Sequence, residues 1–356
     1  MPSEAGSEHQ GGKGPPLSRE GSLRLSFGAV NAGPLLSLPN LEEALTRLEP
    51  LLRDSVRSGD PFLDEVTTHL IDAGGKRLRP GLAIAAATST GRPATGDDLL
   101  GAVAVELVHL ASLYHDDVMD EATMRRSVES VNARWGNLVA IVAGDFLLAR
   151  SAEIAAGLGP EIAGLLANTL GLLCRGQVAE VHGAFQVDRT AEDYYTAIAG
   201  KTAALMATSA RIGAITGGLP RPGVEALTTF GRCFGMVFQM RDDVLDVIGT
   251  DEELGKPAGQ DLAEGIYTLP VLLALEDPAV AAELRPLLGV PLDQPERDKA
   301  KAIVAGSQGI EGTLAAGRRF VTEAEEAAAL IPDTLLARTL VDLVNSLLDT
   351  LPVSQR

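Results

Sequence analysis

Apolar residues recur at helical spacing along most of this chain. Leu41, Leu45, Leu48, Leu51 and Leu52 mark one stripe, with Asn40 as predicted N-cap, Glu42 and Glu43 in the first turn, and Pro50 as a predicted kink. Phe62, Val66, Leu70 and Ile71 mark the next, which stops at Gly74-Gly75. The pattern predicts further helices over 80–91, 96–121, 130–157, 160–185, 190–217, 222–248, 268–276, 296–305, 310–330 and 332–350, most of them bounded by Gly, Pro, Asn or Thr. No stretch alternates every second residue with β-branched enrichment, and no Asn-Gly or Asp-Gly hairpin signal occurs. Residues 1–36 are rich in Gly, Ser and Pro, lack periodicity, and read as a disordered tail. The remainder, 37–356, is expected to be one all-α domain, a bundle of long helices around a deep central cavity.

Composition supports the helical reading. Ala, Leu and Val dominate, and aromatics are only 4%. The 356 residues carry a net charge of −18, which excludes nucleic-acid binding through general electrostatics. Any anionic ligand therefore needs a local basic cluster. Cys174 and Cys233 lack metal-ligand neighbours and read as buried free thiols of a reducing compartment. No apolar run reaches the roughly 18 residues of a membrane span, and no signal-peptide pattern opens the chain. The expectation is a soluble cytoplasmic protein, with surface contact to a membrane left open.

The stretch from His109 to Asp120 carries the chemistry. It begins as an apolar helix and runs into Asp116, Asp117 and Asp120. Asp116 and Asp120 lie one turn apart, and His109 and Ser112 share their face. Like charges so placed repel, and a hard cation such as Mg²⁺ would remove the cost. A solvated acidic face would explain one such cluster, but the pattern returns at Asp242, Asp243 and Asp246.

Basic groups accompany both clusters. Lys76 and Arg79 follow Gly74-Gly75, and three cations within four positions suit phosphate oxygens. Arg125-Arg126 follows the first cluster closely. Lys201-Thr202 sits inside an apolar helix, where a lysine is costly unless paired. Gln239 precedes Asp242 by three residues, and Lys256 lies in the loop after the second cluster. Helix-dipole compensation, solvated arginines or a snorkelling lysine would explain each alone. Together they describe a helical cavity with two acidic metal-binding walls, a basic mouth for a diphosphate, and apolar depth for a hydrocarbon.

These motifs resemble the trans-isoprenyl diphosphate synthases, or polyprenyl synthetases. The resemblance runs over roughly 40–350 through Gly-Gly-Lys-Arg-Leu-Arg-Pro at 74–80, Asp-Asp-Val-Met-Asp with Arg125-Arg126, Lys201-Thr202, Phe238-Gln239 with Asp-Asp-Val-Leu-Asp, and Lys256-x-x-Gly259-x-Asp261-Leu262. It implies an isoprenoid synthase fold and three Mg²⁺ ions per site. Asp116, Asp120 and Asp242 would bind metal, with Asp117, Asp243 and Asp246 supporting. Arg125, Lys201 and Lys256 would hold an allylic prenyl diphosphate. Lys76, Arg79, His109 and Arg126 would hold isopentenyl diphosphate. Thr202 and Gln239 would stabilise positive charge at the reacting carbon. A homodimer, and peripheral membrane contact for product release, are also implied. Two positions depart from the pattern: Ser127 stands where the family often has Gly, and Ile266 where many members have Lys.

Product length is set one turn below the aspartates. Ala111 and Ser112 are small there, where short-chain members of the family commonly place an aromatic floor. Leu107 and Val108, a further turn down, could form a lower limit, and Tyr114 should face away. The expectation is a long-chain product such as a quinone side-chain precursor, with a geranylgeranyl- or farnesyl-length product as the alternative. A terpene cyclase would not need the Lys76–Arg79 and Arg125-Arg126 clusters. A non-catalytic partner subunit would not need all six aspartates.

Overall fold

The computed structural model describes residues 33–251 and 257–352. The first helices are α1 (Gly33–Leu36), α2 (Leu41–Ser55), α3 (Pro61–Asp72), α4 (Leu78–Ala87) and α5 (Gly96–Met119). A two-stranded hairpin follows, β1 (Met124–Arg125) and β2 (Val128–Glu129). Then come α6 (Val131–Trp135), α7 (Asn137–Leu158), α8 (Pro160–Gly183), α9 (Ala191–Ile198), a π-helical segment over Ala199–Ala203, α10 (Ala204–Thr216) and α11 (Arg221–Ile248). The chain closes with α12 (Gln260–Ala263), α13 (Leu269–Ala274), α14 (Pro278–Leu284), α15 (Gln294–Ala305), α16 (Gly309–Ala328) and α17 (Thr334–Asp349).

Local chemistry sets the ends. Asp60 accepts from the amides of Phe62 and Leu63 to start α3. Thr95 with Asp98, Thr190 with Asp193, and Asp293 with Glu296 form capping boxes for α5, α9 and α15. The apolar faces of α4, α5, α7, α10, α11 and α16 then pack on one another around α5. Val103, Leu107 and Leu110 of α5 are wholly buried in that core. This is the all-α bundle that the periodicity predicts.

Several local expectations are corrected. Asn40 precedes α2 in a left-handed conformation and makes no side-chain cap bond. α2 runs through Pro50 because the fully buried Leu48 and Leu52 hold it against the core. Gly33–Leu36, inside the expected tail, are helical, with Leu35 buried and α1 against α17; residues 1–32 of the expected tail lie outside the described residues. α4 starts at Leu78, two residues before Pro80. The predicted helix 130–157 splits at Gly136, whose φ of 88° and ψ of 158° are not helical. The stretch 190–217 is interrupted by the π segment. α14, capped by Asp277, falls where no helix was expected. By length and composition α8 could cross a membrane, contrary to the run-length reading; here it packs on α7, α9, α10 and the π segment.

The hairpin was also unexpected. Its two-residue loop is Arg126-Ser127, at φ 52° and 63°. Two positive φ values are what a twisted two-residue hairpin needs, and sequences normally signal them with Asn or Gly. Ser127 takes the left-handed conformation in which glycine carries no steric penalty. Contacts with α5 supply what the loop sequence does not. Arg125 Nε donates to Asp117 Oδ1 at 2.7 Å, and Asn132 Nδ2 donates to the carbonyls of Asp117 and Ala122 at 2.9 and 3.0 Å.

Candidate active site

Two cavities meet beside Lys201. One, of about 830 Å³, is lined by Asp120, Arg125, Arg126, Glu180, Lys201, Thr202 and Gln239 among others. The other, of about 500 Å³, runs between α5, α7 and α8 and is largely apolar, with Val108, Leu148, Leu170 and Leu173 in its walls. Asp116 and Ser112 line the second cavity, and Lys201 lines both. A polar compartment is thus joined to an apolar one, with the first aspartate cluster at the junction.

Two close backbone crossings position Lys201-Thr202. A Cβ on Gly176 of α8 would fall 2.8 Å from the Ala197 carbonyl, and one on Gly200 would fall 2.7 Å from the Leu172 carbonyl. A Cβ on Gly235 of α11 would fall 2.5 Å from the Ala203 Cα. Only glycine permits these approaches. One turn beyond Gly176 is Glu180, and one turn beyond Gly235 is Gln239. Lys201 Nζ is ion-paired to Glu180. Thr202 Oγ1 donates to Gln239 Oε1 at 2.8 Å, Gln239 Nε2 donates to Asp243 Oδ1 at 2.9 Å, and Tyr194 Oη donates to Asp243 Oδ2 at 2.5 Å. The π segment widens the helix at the residues that carry this chemistry.

The six aspartates divide into two groups. Among the described residues, the Asp116 carboxylate makes no hydrogen bond or ion pair; burial pushes its carboxyl up to about 6, Lys201 opposes the rise, and Asp120 adds to it. Asp120 is exposed at the end of α5 and lines the polar cavity. Asp242 is near enough to Lys76 to favour the ammonium charge. Asp242 Oδ1 also accepts from Arg241 Nη1 at 3.2 Å. The other three brace neighbouring parts of the protein. Asp117 holds Arg125. Both oxygens of Asp243 accept hydrogen bonds, while burial raises its proton affinity. Asp246 Oδ2 accepts from the Asp261 amide at 3.2 Å, and its carbonyl accepts from the Gly259 amide at 2.8 Å, fastening α12 and the residue before it. Among the described residues no three metal-ligating side chains converge on one point. Ligand oxygens would therefore have to complete the shell of any cation held by Asp116, Asp120 and Asp242, and the half-buried Asp116 carboxylate at the cavity wall fits that role.

The basic residues separate likewise. Arg77 is structural: it is buried at φ 46° and reaches Glu49, Glu106 and the Ile71 carbonyl. Arg79 and Arg126 gather around Glu106 and His109. Burial pulls Arg79 down to about 10, with Glu106 opposing, so it remains charged. Burial and these arginines hold His109 neutral, well below its ordinary range. Arg126 Nη1 donates to the Leu70 carbonyl at 2.9 Å and also to Gly74, tying the hairpin loop to the Gly74-Gly75 turn. Arg125 bonds Asp117, so only part of its guanidinium is open to a ligand. Lys256 lies outside the described residues.

Three-dimensional packing also revises the product-length residues. Ser112 lines the apolar cavity, with Val108 a turn below it. Ala111 is wholly buried in the main core and does not line that cavity, because its side of α5 faces the bundle. Leu107 is buried in the same core. Tyr114 faces away as expected, its Oη donating to the Val66 carbonyl at 2.7 Å. Cys174 is exposed at the apolar cavity, whereas Cys233 is a buried free thiol.

A polyprenyl synthetase family model matches residues 60–305. The chain belongs to the polyprenyl synthetase family. Nonaprenyl diphosphate synthase of Mycobacterium tuberculosis is 35% identical over 318 residues, covering 89% of this chain and 95% of that protein. Heptaprenyl diphosphate synthase component 2 of Geobacillus stearothermophilus is 40% identical over 285 residues, covering 80% and 88%. The crystal structure of a polyprenyl synthase from Caulobacter crescentus, complexed with calcium and isoprenyl diphosphate, superposes with a TM-score of 0.83 at 31% identity, covering 91% of this chain and 98% of that one.

Within this polyprenyl synthetase the sequence reading omitted four residues. Glu106 and Glu180 are the carboxylates that hold basic groups in place. Tyr194 anchors Asp243, and Arg189 lines the polar cavity. Spacing gave a signal for two of them: Glu106 lies three residues before His109, and Tyr194 lies seven before Lys201.

Proposed function

We propose that this polyprenyl synthetase extends an allylic prenyl diphosphate with isopentenyl diphosphate units to a long trans-polyprenyl diphosphate, a quinone side-chain precursor among the candidates. The observation that carries this reading is the junction of polar and apolar cavities at Lys201, with Asp116 beside it.

Asp116, Asp120 and Asp242 would hold Mg²⁺, three ions per site, with diphosphate oxygens completing their coordination. Bound there, the ions would neutralise charge on the departing diphosphate. Asp117, Asp243 and Asp246 support the site by bracing Arg125, Gln239 and the start of α12. Lys201, Lys256 and the open part of Arg125 would bind the allylic diphosphate. Lys76, Arg79, Arg126 and neutral His109 would bind isopentenyl diphosphate. The allylic C–O bond breaks, and its electron pair leaves with the diphosphate. The double bond of isopentenyl diphosphate attacks the allylic carbon, and a proton passes to the departing diphosphate. Thr202 and Gln239, both lining the cavity, would present oxygen lone pairs to the positive charge that develops there. The hydrocarbon tail lies in the cavity past Ser112 and Val108.

A second copy of the chain would cover the apolar side chains Leu138, Ile141 and Val142 of α7 with Val178 and Val181 of α8, all exposed here. We favour a homodimer. The relative named as a component makes a heteromer the competing outcome of a light-scattering measurement on the purified protein. The charged substrates suit a cytoplasmic enzyme, and its apolar product suits transient contact with a membrane surface. The test of the reaction is diphosphate release: it should require both substrates and stop on chelation of divalent metal. Release from the allylic substrate alone would instead identify a cyclase.

A further inference from the structure

Arg189 stands apart from the other cations of the polar cavity. Arg125 is paired with Asp117, and Lys201 with Glu180. Among the described residues, no carboxylate lies within ion-pair distance of Arg189. Among the described residues, the one hydrogen bond of its side chain runs from Nη2 to the Asp193 carbonyl at 3.3 Å, and its Nε is buried without a partner. Burial disfavours its charge, and Glu180, Asp193 and Asp243 offset this only from beyond ion-pair distance; it also immediately precedes Thr190, the N-cap of α9, where a cation opposes the helix dipole.

The packing nevertheless holds Arg189 at the cavity wall. A Cβ on Gly183 would fall 3.2 Å from its Nε, so the side chain lies across the bare backbone at the end of α8. The Phe185 amide donates to the Gly265 carbonyl at 2.8 Å, and a side chain on Gly265 would strike the Phe185 ring. The segment carrying Arg189 is thereby fastened to the loop carrying Ile266, and both residues line the polar cavity.

We propose that Arg189 binds the diphosphate of the allylic substrate, supplying from the segment between α8 and α9 a positive charge that Ile266 does not. The proposal rests on the prenyl-transfer reading. A half-buried guanidinium with donors to spare is suited to phosphate oxygens, which it can engage through two parallel bonds. The nearby carboxylates that favour its charge include Glu180 and Asp243, which hold Lys201 and Gln239 of the allylic half of the site.

The test uses the full-length protein. Calorimetry with inorganic diphosphate and magnesium chloride should show about tenfold weaker binding for Arg189→Ala. The KM for farnesyl diphosphate should rise by a similar factor, and that for isopentenyl diphosphate should stay within about twofold. Adding Ile266→Lys to Arg189→Ala should restore diphosphate affinity. Arg189→Gln, checked for an unchanged melting temperature, replaces the alanine variant if that one fails to fold. Unchanged diphosphate affinity in a folded variant, equal weakening toward both substrates, or no rescue by Ile266→Lys would each overturn the assignment. Calorimetry separates this failure from failure of the functional reading, which would appear as wild-type protein that binds diphosphate yet makes no product.

Discussion

Tyr194 Oη donates to Asp243 Oδ2 at 2.5 Å, with both side chains buried. That bond fixes the direction of a chain of hydrogen bonds. Asp243 accepts from Tyr194 and from Gln239 Nε2, so Gln239 turns its oxygen to the Thr202 hydroxyl. Thr202 thus commits its proton to Gln239 and keeps its lone pairs as acceptors at the cavity that both residues line. Tyr194→Phe should lower kcat about tenfold while both KM values stay within about twofold. An ammonium-bearing analogue of the allylic substrate should lose affinity in the same proportion, whereas a neutral analogue should not. Equal weakening of both analogues would mean that Tyr194 serves the fold alone.

Asp116 trades stability for function. Its carboxyl sits at about 6, raised by burial from an ordinary value of 3.8. A raised acid is neutral in both folded and unfolded states below pH 3.8, where it costs nothing. The cost grows as pH rises toward 6 and is complete above it. Asp116→Asn should therefore raise the melting temperature of the metal-free protein by roughly 2–4 °C at pH 7 and leave it unchanged near pH 3.5. Turnover should fall by at least about a hundredfold. Melting curves at the two pH values check the sign.

The apolar cavity gives opposite outcomes for adjacent residues. Ser112→Phe should place a ring in the cavity and shorten the product. Ala111→Phe should overpack the main core and cost about 1–3 kcal/mol of stability. Chromatography of the products and denaturant melts distinguish the two.

Gly176→Ala should separate α8 from the π segment, because its new methyl would press on the Ala197 carbonyl. The expected loss is about 1–3 kcal/mol of stability, with impaired turnover from the displaced Lys201–Glu180 pair. Gly164→Ala, on the same helix with open space at its Cβ, should be tolerated and serves as the control.

The long helices were legible because one face of each is apolar over many turns, as in α5 and α11. What the pattern missed was local or tertiary. The hairpin at Arg126-Ser127 carries no glycine and is held by Asp117 and Asn132 from outside its own strands. The π segment leaves no mark on apolar periodicity. Both aspartate clusters were visible as spacing, but spacing does not distinguish Asp116, whose carboxylate has no partner among the described residues, from Asp117, which holds an arginine. The split between Ala111 and Ser112 depends on the direction of side chains around α5. Arg189 was passed over because its meaning lies in what it does not contact.

The measurement that bears most directly on the account is the mass of the products formed from farnesyl and isopentenyl diphosphates by the purified protein with Mg²⁺. The account predicts a ladder of five-carbon additions that continues past twenty carbons, with one diphosphate released per addition. Products that stop at twenty carbons would contradict the long-chain assignment, and the absence of any elongated prenyl diphosphate would contradict the prenyl-transfer reading itself.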